Sequence, residues 1–161
     1  MNKQLKRKIV VINAHPSSTS FNHALMQAYI EAVPSDVQVE VIEIGRLNFE
    51  PNLKFGYEQR MELESDLQVA WEKIISADHL VWIFPVWWGG LPAVSKGFID
   101  RLFLPSQAFS YLENSNRIRG HLKDKTARII TTLDQAGWTY KWYFGEPSTR
   151  QLKDTTLKFC G

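Results

Sequence analysis

Short β-branched runs alternate along this chain with stretches of helical spacing, and that alternation constrains the fold more than any other feature. "KIVVIN" at 8–13, "HLVWIF" at 79–84 and "ARIITT" at 127–132 predict buried strands. "VQVEVIEI" at 37–44 alternates apolar and polar residues, as a strand near a sheet edge does. Ser20 caps a helix starting near Phe21, with Leu25, Ala28, Tyr29 and Ala32 at helical spacing and Pro34 just past its end. A second helix covers about 63–77 through Leu67, Ala70, Trp71 and Ile74, and a third roughly 93–103 through Val94, Phe98, Ile99 and Leu102. A last one, about 148–159, ends at Gly161. Residues 104–123 read as loop, and "LDQAGWTYKWYFGEP" as an irregular aromatic segment.

Strands alternating with helices predict an α/β fold, a parallel sheet with helices on both faces and right-handed crossovers. Ligands bind such folds at the carboxyl ends of the strands. Three loops lie there, 14–20, 85–92 and 133–145, and they are where the sequence departs from a plain core pattern. The 161 residues suit one domain, 1–161, with 1–7 as a flexible tail. Lys3, Lys6, Arg7 and Lys8 cluster at the N-terminus, but a net charge of +2 and no basic stripe argue against a nucleic-acid partner. A single cysteine, Cys160, allows no intramolecular disulfide and fits the reducing cytoplasm. "IVVINA" is too short for a signal-peptide core, and no stretch is long enough for membrane insertion.

The first loop, "NAHPSSTSFN", sets four hydroxyls (Ser17, Ser18, Thr19, Ser20) just before a helix. Free N–H groups and the helix dipole favour an anion there, and hydroxyls add donors without charge. That pattern suits a phosphate monoester. It lacks the lysine and glycines of a Walker loop and is no G-x-G-x-x-G turn. Taken alone, it is better read as a polar loop with a helix cap, because serine-rich turns are common. No metal is assigned, because no second His, Cys or carboxylate stands at ligand spacing from His15.

The second loop, "PVWWGGLP", sets Trp87 and Trp88 between Pro85 and Gly89-Gly90. Neighbouring residues cannot both point into one core. A stiff, tightly turning backbone beside an indole face suits a flat, polar-edged ring such as a flavin isoalloxazine. The alternative sends one Trp to the core and the other to a dimer interface.

Three stretches carry a resemblance: "NAHPSSTSFNHAL", "FPVWWGGLPAVSKGFIDRLF" and "TLDQAGWTYKWYFGEPSTRQLKDTTLKFCG". The chain resembles the flavodoxin-like NAD(P)H:quinone oxidoreductases, most closely the bacterial branch known as modulator of drug activity B or NADPH-quinone reductases. The resemblance implies a three-layer αβα sandwich, five parallel strands in the order 2-1-3-4-5, bound flavin (FAD or FMN) and a homodimer. It gives the flavin phosphate to His15, Thr19, Ser20, Phe21 and Asn22. It gives the isoalloxazine to Pro85, Val86, Trp87 and Trp88, and the ring's other edge to Thr131, Thr132, Leu133 and Asp134. It implies ping-pong two-electron transfer, from NAD(P)H to the flavin and on to a quinone.

The chain departs from that family in two ways. Thr131-Thr132-Leu133-Asp134 stands where better-known members have Thr-Thr-Gly-Gly, and no histidine follows His121. The proton relay of those members therefore does not carry over, and Tyr140 is left as the candidate for facing the substrate. Members also continue past the position of Gly161 into a fifth strand. An order 2-1-3-4 with strand 4 as an exposed edge is thus expected, through truncation or an altered terminus, with reduced stability. Two other roles stay open, an ancillary regulatory subunit of a potassium-efflux system and a flavodoxin-type electron carrier. The net charge and the "HPSSTSFN" loop argue against the carrier.

Overall fold

Successive residues of a strand face opposite sides of its sheet, and here both sides are buried. In β1 (Lys8–Asn13), Val10 and Ile12 enter one core while Val11 enters the other. β2 spans Gln38–Glu43. In β3 (His79–Pro85), Leu80, Trp82 and Phe84 join the first core, and Val81 and Ile83 the second. Two three-residue strands follow, β4 (Phe109–Tyr111) and β5 (Ile118–Gly120), and then β6 (Thr126–Thr132). The computed structural model describes residues 7–113, 115 and 117–161, so the expected tail lies, up to residue 6, outside the described residues.

Strands β2, β1, β3 and β6 form one parallel sheet in that order. This is the expected 2-1-3-4 arrangement, and β2, with its alternating sequence, lies at one edge. The fourth expected strand is the sixth in the chain because β4 and β5 pair antiparallel inside 104–123, the stretch expected to be loop. Three residues are too few to show a period, so the pair left no pattern to read. The hairpin packs on the end of the chain. Leu122 N–H donates to the Cys160 carbonyl at 2.8 Å, and a Cβ on Gly120 would overlap the Cys160 backbone.

The helices are α1 (Phe21–Glu31), α2 (Ser65–Ser76), α3 (Ala93–Leu102) and α4 (Pro147–Arg150). α4 runs on into a π-helical stretch, Gln151–Leu157, so the expected helix 148–159 is real but changes hydrogen-bond pattern after one turn. The aromatic segment before it carries a second π-helical turn, Thr139–Tyr143. α1 lays Leu25, Met26, Tyr29 and Ile30 on the smaller core. α2, α3 and the C-terminal helix cover the larger one through Leu67, Ile74, Phe98, Leu102 and Leu152. Helices thus flank both faces of the sheet, the three-layer sandwich expected. No helix among the described residues is long and apolar enough to cross a membrane.

The segment after β2 is pinned at three points. A Cβ on Gly45 would fall on the Pro16 carbonyl, so glycine lets this backbone touch the first loop. A Cβ on Gly97 of α3 would meet Pro51. Arg101, fully buried, donates to Glu64 at 2.9 Å and to the Glu62 carbonyl at 2.8 Å. Burial pushes the Glu64 carboxyl up, but the Arg101 guanidinium and the Glu50 N–H outweigh it and hold it below its usual value.

Candidate active site at the carboxyl edge of the sheet

β1, β3 and β6 are parallel neighbours, so the loops that follow them emerge side by side. Short polar contacts join them. Ala14 N–H donates to the Ile83 carbonyl at 2.9 Å, and Val86 N–H to the Thr132 carbonyl at 2.9 Å. The Thr132 hydroxyl donates to Asn22 Oδ1 at 3.0 Å, tying the third loop to the first. From α3, the buried Ser95 hydroxyl donates to the Ala14 carbonyl at 2.6 Å.

In the first loop, His15 Nδ1 accepts the Ser17 N–H at 2.9 Å. The same Nδ1 also lies 3.2 Å from the Ser17 carbonyl oxygen, so the ring is held against the Ser17 main chain. The His15 ring meets the Trp87 ring edge-on, with centroids 5.5 Å apart. Ser17 and Thr19 share a hydroxyl–hydroxyl bond of 3.0 Å. Ser20 is the N-cap of α1, its Oγ accepting the His23 N–H at 3.2 Å. Among the described residues, no hydrogen bond takes up the N–H groups of Ser18, Ser20, Phe21 or Asn22. Thr19 is exposed and Phe21 is 68% exposed, whereas Asn22 is buried and its Nδ2 has no partner. No lysine or arginine lies between 14 and 22.

In the second loop, Trp87 and Gly90 bond each other through both main chains, N–H to carbonyl at 3.1 and 2.9 Å. Trp88 and Gly89 form the tip, with φ of 52° and 74°. Positive φ at both central residues is the signature of a type I′ turn, a position usually held by Asn-Gly. The turn turns the Trp88 side chain wholly out to solvent, while Trp87 is partly covered by His15. Val86 and Trp87 spend their N–H groups inside the protein; those of Trp88, Gly89 and Leu91 have no partner among the described residues. Pro85 is buried at the end of β3.

Beside this turn opens a cleft of ≈ 600 Å³. Val86, Trp88 and Gly89 form one wall and Leu133, Asp134 and Gln135 another. Thr131 and Thr132 end β6, paired with Phe84 and Pro85, and do not line the cleft themselves. Phe144 and Pro147 close the far side, together with the ring of Tyr140. The Tyr140 hydroxyl does not face the cleft. It is buried and bonded to Ser148 Oγ at 2.5 Å, so the one tyrosine expected to face a substrate offers only its ring. Gln135, Phe144 and Pro147 were not singled out in the sequence; the signal for Gln135 and Phe144 was membership of the flagged third loop, and for Pro147 only its place at the end of the irregular aromatic segment.

The geometry brings His15, Thr19, Ser20, Phe21 and Asn22 to one helix start, next to a cleft built by Val86, Trp88, Leu133 and Asp134. An uncharged, donor-rich turn thus adjoins an apolar slot with aromatic walls. A model of the flavodoxin-like fold matches residues 7–161. NAD(P)H dehydrogenase [quinone] 1 of Cavia porcellus is 26% identical over 96% of this chain. The chain spans 65% of that relative's length. Smu.1420 of Streptococcus mutans UA159, a solved structure, is 33% identical with a TM-score of 0.82, over 95% of this chain and 81% of that one. The NAD(P)H:quinone oxidoreductase of Methanothermobacter marburgensis is 25% identical with a TM-score of 0.74, over 92% and 75%.

Proposed function

The chain belongs to the flavodoxin-like fold family, and from that premise we propose that it is a flavin-dependent NAD(P)H:quinone oxidoreductase. The observation that carries this reading is the juxtaposition at one sheet edge of an uncharged phosphate-type turn and an aromatic slot. The names of the similar proteins from Cavia porcellus and Methanothermobacter marburgensis support it.

The residues present fit a flavin, FMN or FAD. The N–H groups of Ser18, Ser20, Phe21 and Asn22 have no partner among the described residues and stand at the positive end of α1. They would hold the phosphate, helped by the hydroxyls of Thr19 and Ser20 and by the His15 ring. The Trp88 and Gly89 N–H groups and the backbone from Pro85 to Trp87 would face the ring, with Thr131 to Asp134 along its other edge. When bound, the flavin supplies two-electron hydride chemistry between NAD(P)H and the acceptor. The protein's task is then to orient rings, for which Trp88, Leu133, Phe144 and Pro147 offer apolar walls. No histidine and no free tyrosyl hydroxyl lines the cleft, so no side-chain proton relay is assigned.

The same reading takes residues 1–161 as one domain and the protein as a cytoplasmic homodimer. A buried single cysteine fits a reducing compartment. Exposed Trp138, Trp142 and Tyr143 suit a subunit interface, where aromatic residues are enriched. Sedimentation at several concentrations tests the dimer. The activity is tested by steady-state oxidation of NADPH with menadione as acceptor. Parallel double-reciprocal lines support a shared ping-pong site, and absence of menadione-dependent oxidation refutes the reading.

A further inference from the structure

The cleft has a single charged wall. Among the residues that line it Asp134 alone is ionisable at neutral pH, and no lysine, arginine or histidine stands with it. The Asp134 side chain is exposed and has no ion-pair partner among the described residues. Arg150 lies beyond Phe144 and Pro147, in an adjoining groove that it shares with the opposite charge of Asp154. The remaining walls are neutral, chiefly the indole of Trp88 and the side chains of Leu133 and Phe144.

We propose that Asp134 is a specificity-determining residue that selects the acceptor by charge: neutral and cationic aromatic acceptors are admitted, and sulfonated or carboxylated ones are disfavoured. The inference rests on the oxidoreductase reading of the same cleft and adds the substrate class to it. A unit charge facing a like charge about 7 Å away in water-like surroundings weakens binding about threefold, and low-dielectric walls enlarge the effect. Nothing in the cleft offsets it. Because Asp134 is exposed, the selection is salt-sensitive and fades when the screening length drops below that separation.

The test compares menadione with a naphthoquinone sulfonate, using the flavin-loaded chain, Asp134→Asn and Asp134→Glu. Two quantities are read, kcat/KM with NADPH and the binding of each quinone by calorimetry without NADPH. At low ionic strength the unaltered chain favours menadione. Asp134→Asn narrows the menadione-to-sulfonate ratio by about threefold in both quantities, and Asp134→Glu restores it. At about 0.5 M salt the variants converge. A menadione-to-sulfonate ratio that Asp134→Asn leaves unchanged in both quantities overturns the role of Asp134. A chain that oxidises NADPH with neither quinone, yet keeps the charge-dependent binding difference, refutes the oxidoreductase reading and leaves Asp134 as the charge filter.

Discussion

Trp87 and Gly90 lock a two-residue turn between them, and its first tip residue is a tryptophan at φ 52°. A bulky side chain in the left-handed region costs roughly 1–2 kcal/mol. The exposed indole recovers none of that from the core. This strained residue, one of four described non-glycine residues with positive φ, lies where the chain meets its proposed acceptor.

Trp88→Asn gives the turn its preferred Asn-Gly pair. The variant is expected to be about 1 kcal/mol more stable in urea unfolding, from relief of left-handed strain. Its kcat/KM for menadione is expected to fall about tenfold, because the cleft loses its largest apolar wall. A variant that is less stable, with unaltered turnover, would return Trp88 to a purely structural role.

The buried strands were legible because residues such as Val10, Val11, Trp82 and Ile83 are apolar on both faces, which only a covered parallel sheet demands. The three ligand-bearing loops followed from that topology. The positive φ of Trp88 was not legible, since "WWGG" lacks the Asn-Gly signal and the register of the turn depends on the Trp87–Gly90 bridge. The direction of the Tyr140 hydroxyl was equally hidden, being set by Ser148 eight residues on, across the start of α4. The β4–β5 hairpin was missed because its strands are held by packing on the Cys160–Gly161 backbone rather than by a periodic pattern.

Gly45 is the backbone's point of contact with the first loop. In Gly45→Ala the new methyl meets main-chain atoms of Pro16, which cannot swing aside as a side chain does. The displaced loop is expected to lower FMN affinity about tenfold, a cost typical of overpacking of this kind. Riboflavin, which has no phosphate, is expected to lose less. Equal losses for the two ligands would show that Gly45 supports the fold and not the phosphate turn.

Arg101 and Glu64 give the fold a pH dependence of known sign. The Glu64 carboxyl is held below its usual value in the folded chain. Its contribution to stability is therefore complete above the ordinary glutamate range and is lost as pH falls through the lowered folded value. Arg101→Met removes the buried cation and leaves Glu64 unpaired. The expected loss is about 1–3 kcal/mol at neutral pH, because the carbonyls of Glu50 and Glu62 lose their donor while the Glu64 carboxylate left behind is partly exposed, with a flatter stability profile below about pH 5. Urea titrations of both proteins at a series of pH values check this. Profiles of the same slope would place the acid sensitivity elsewhere.

If the aromatic slot and the uncharged turn beside it hold a flavin, that flavin passes electrons from NAD(P)H to a quinone. The most direct measurement is an anaerobic titration of the purified chain, incubated with FMN or FAD and freed of excess, first with NADPH and then with menadione, followed in the flavin's visible absorbance. The expected result is a yellow protein that bleaches with NADPH and regains its colour with menadione. A chain that takes up neither flavin, or a bound flavin whose colour NADPH leaves untouched, would contradict it.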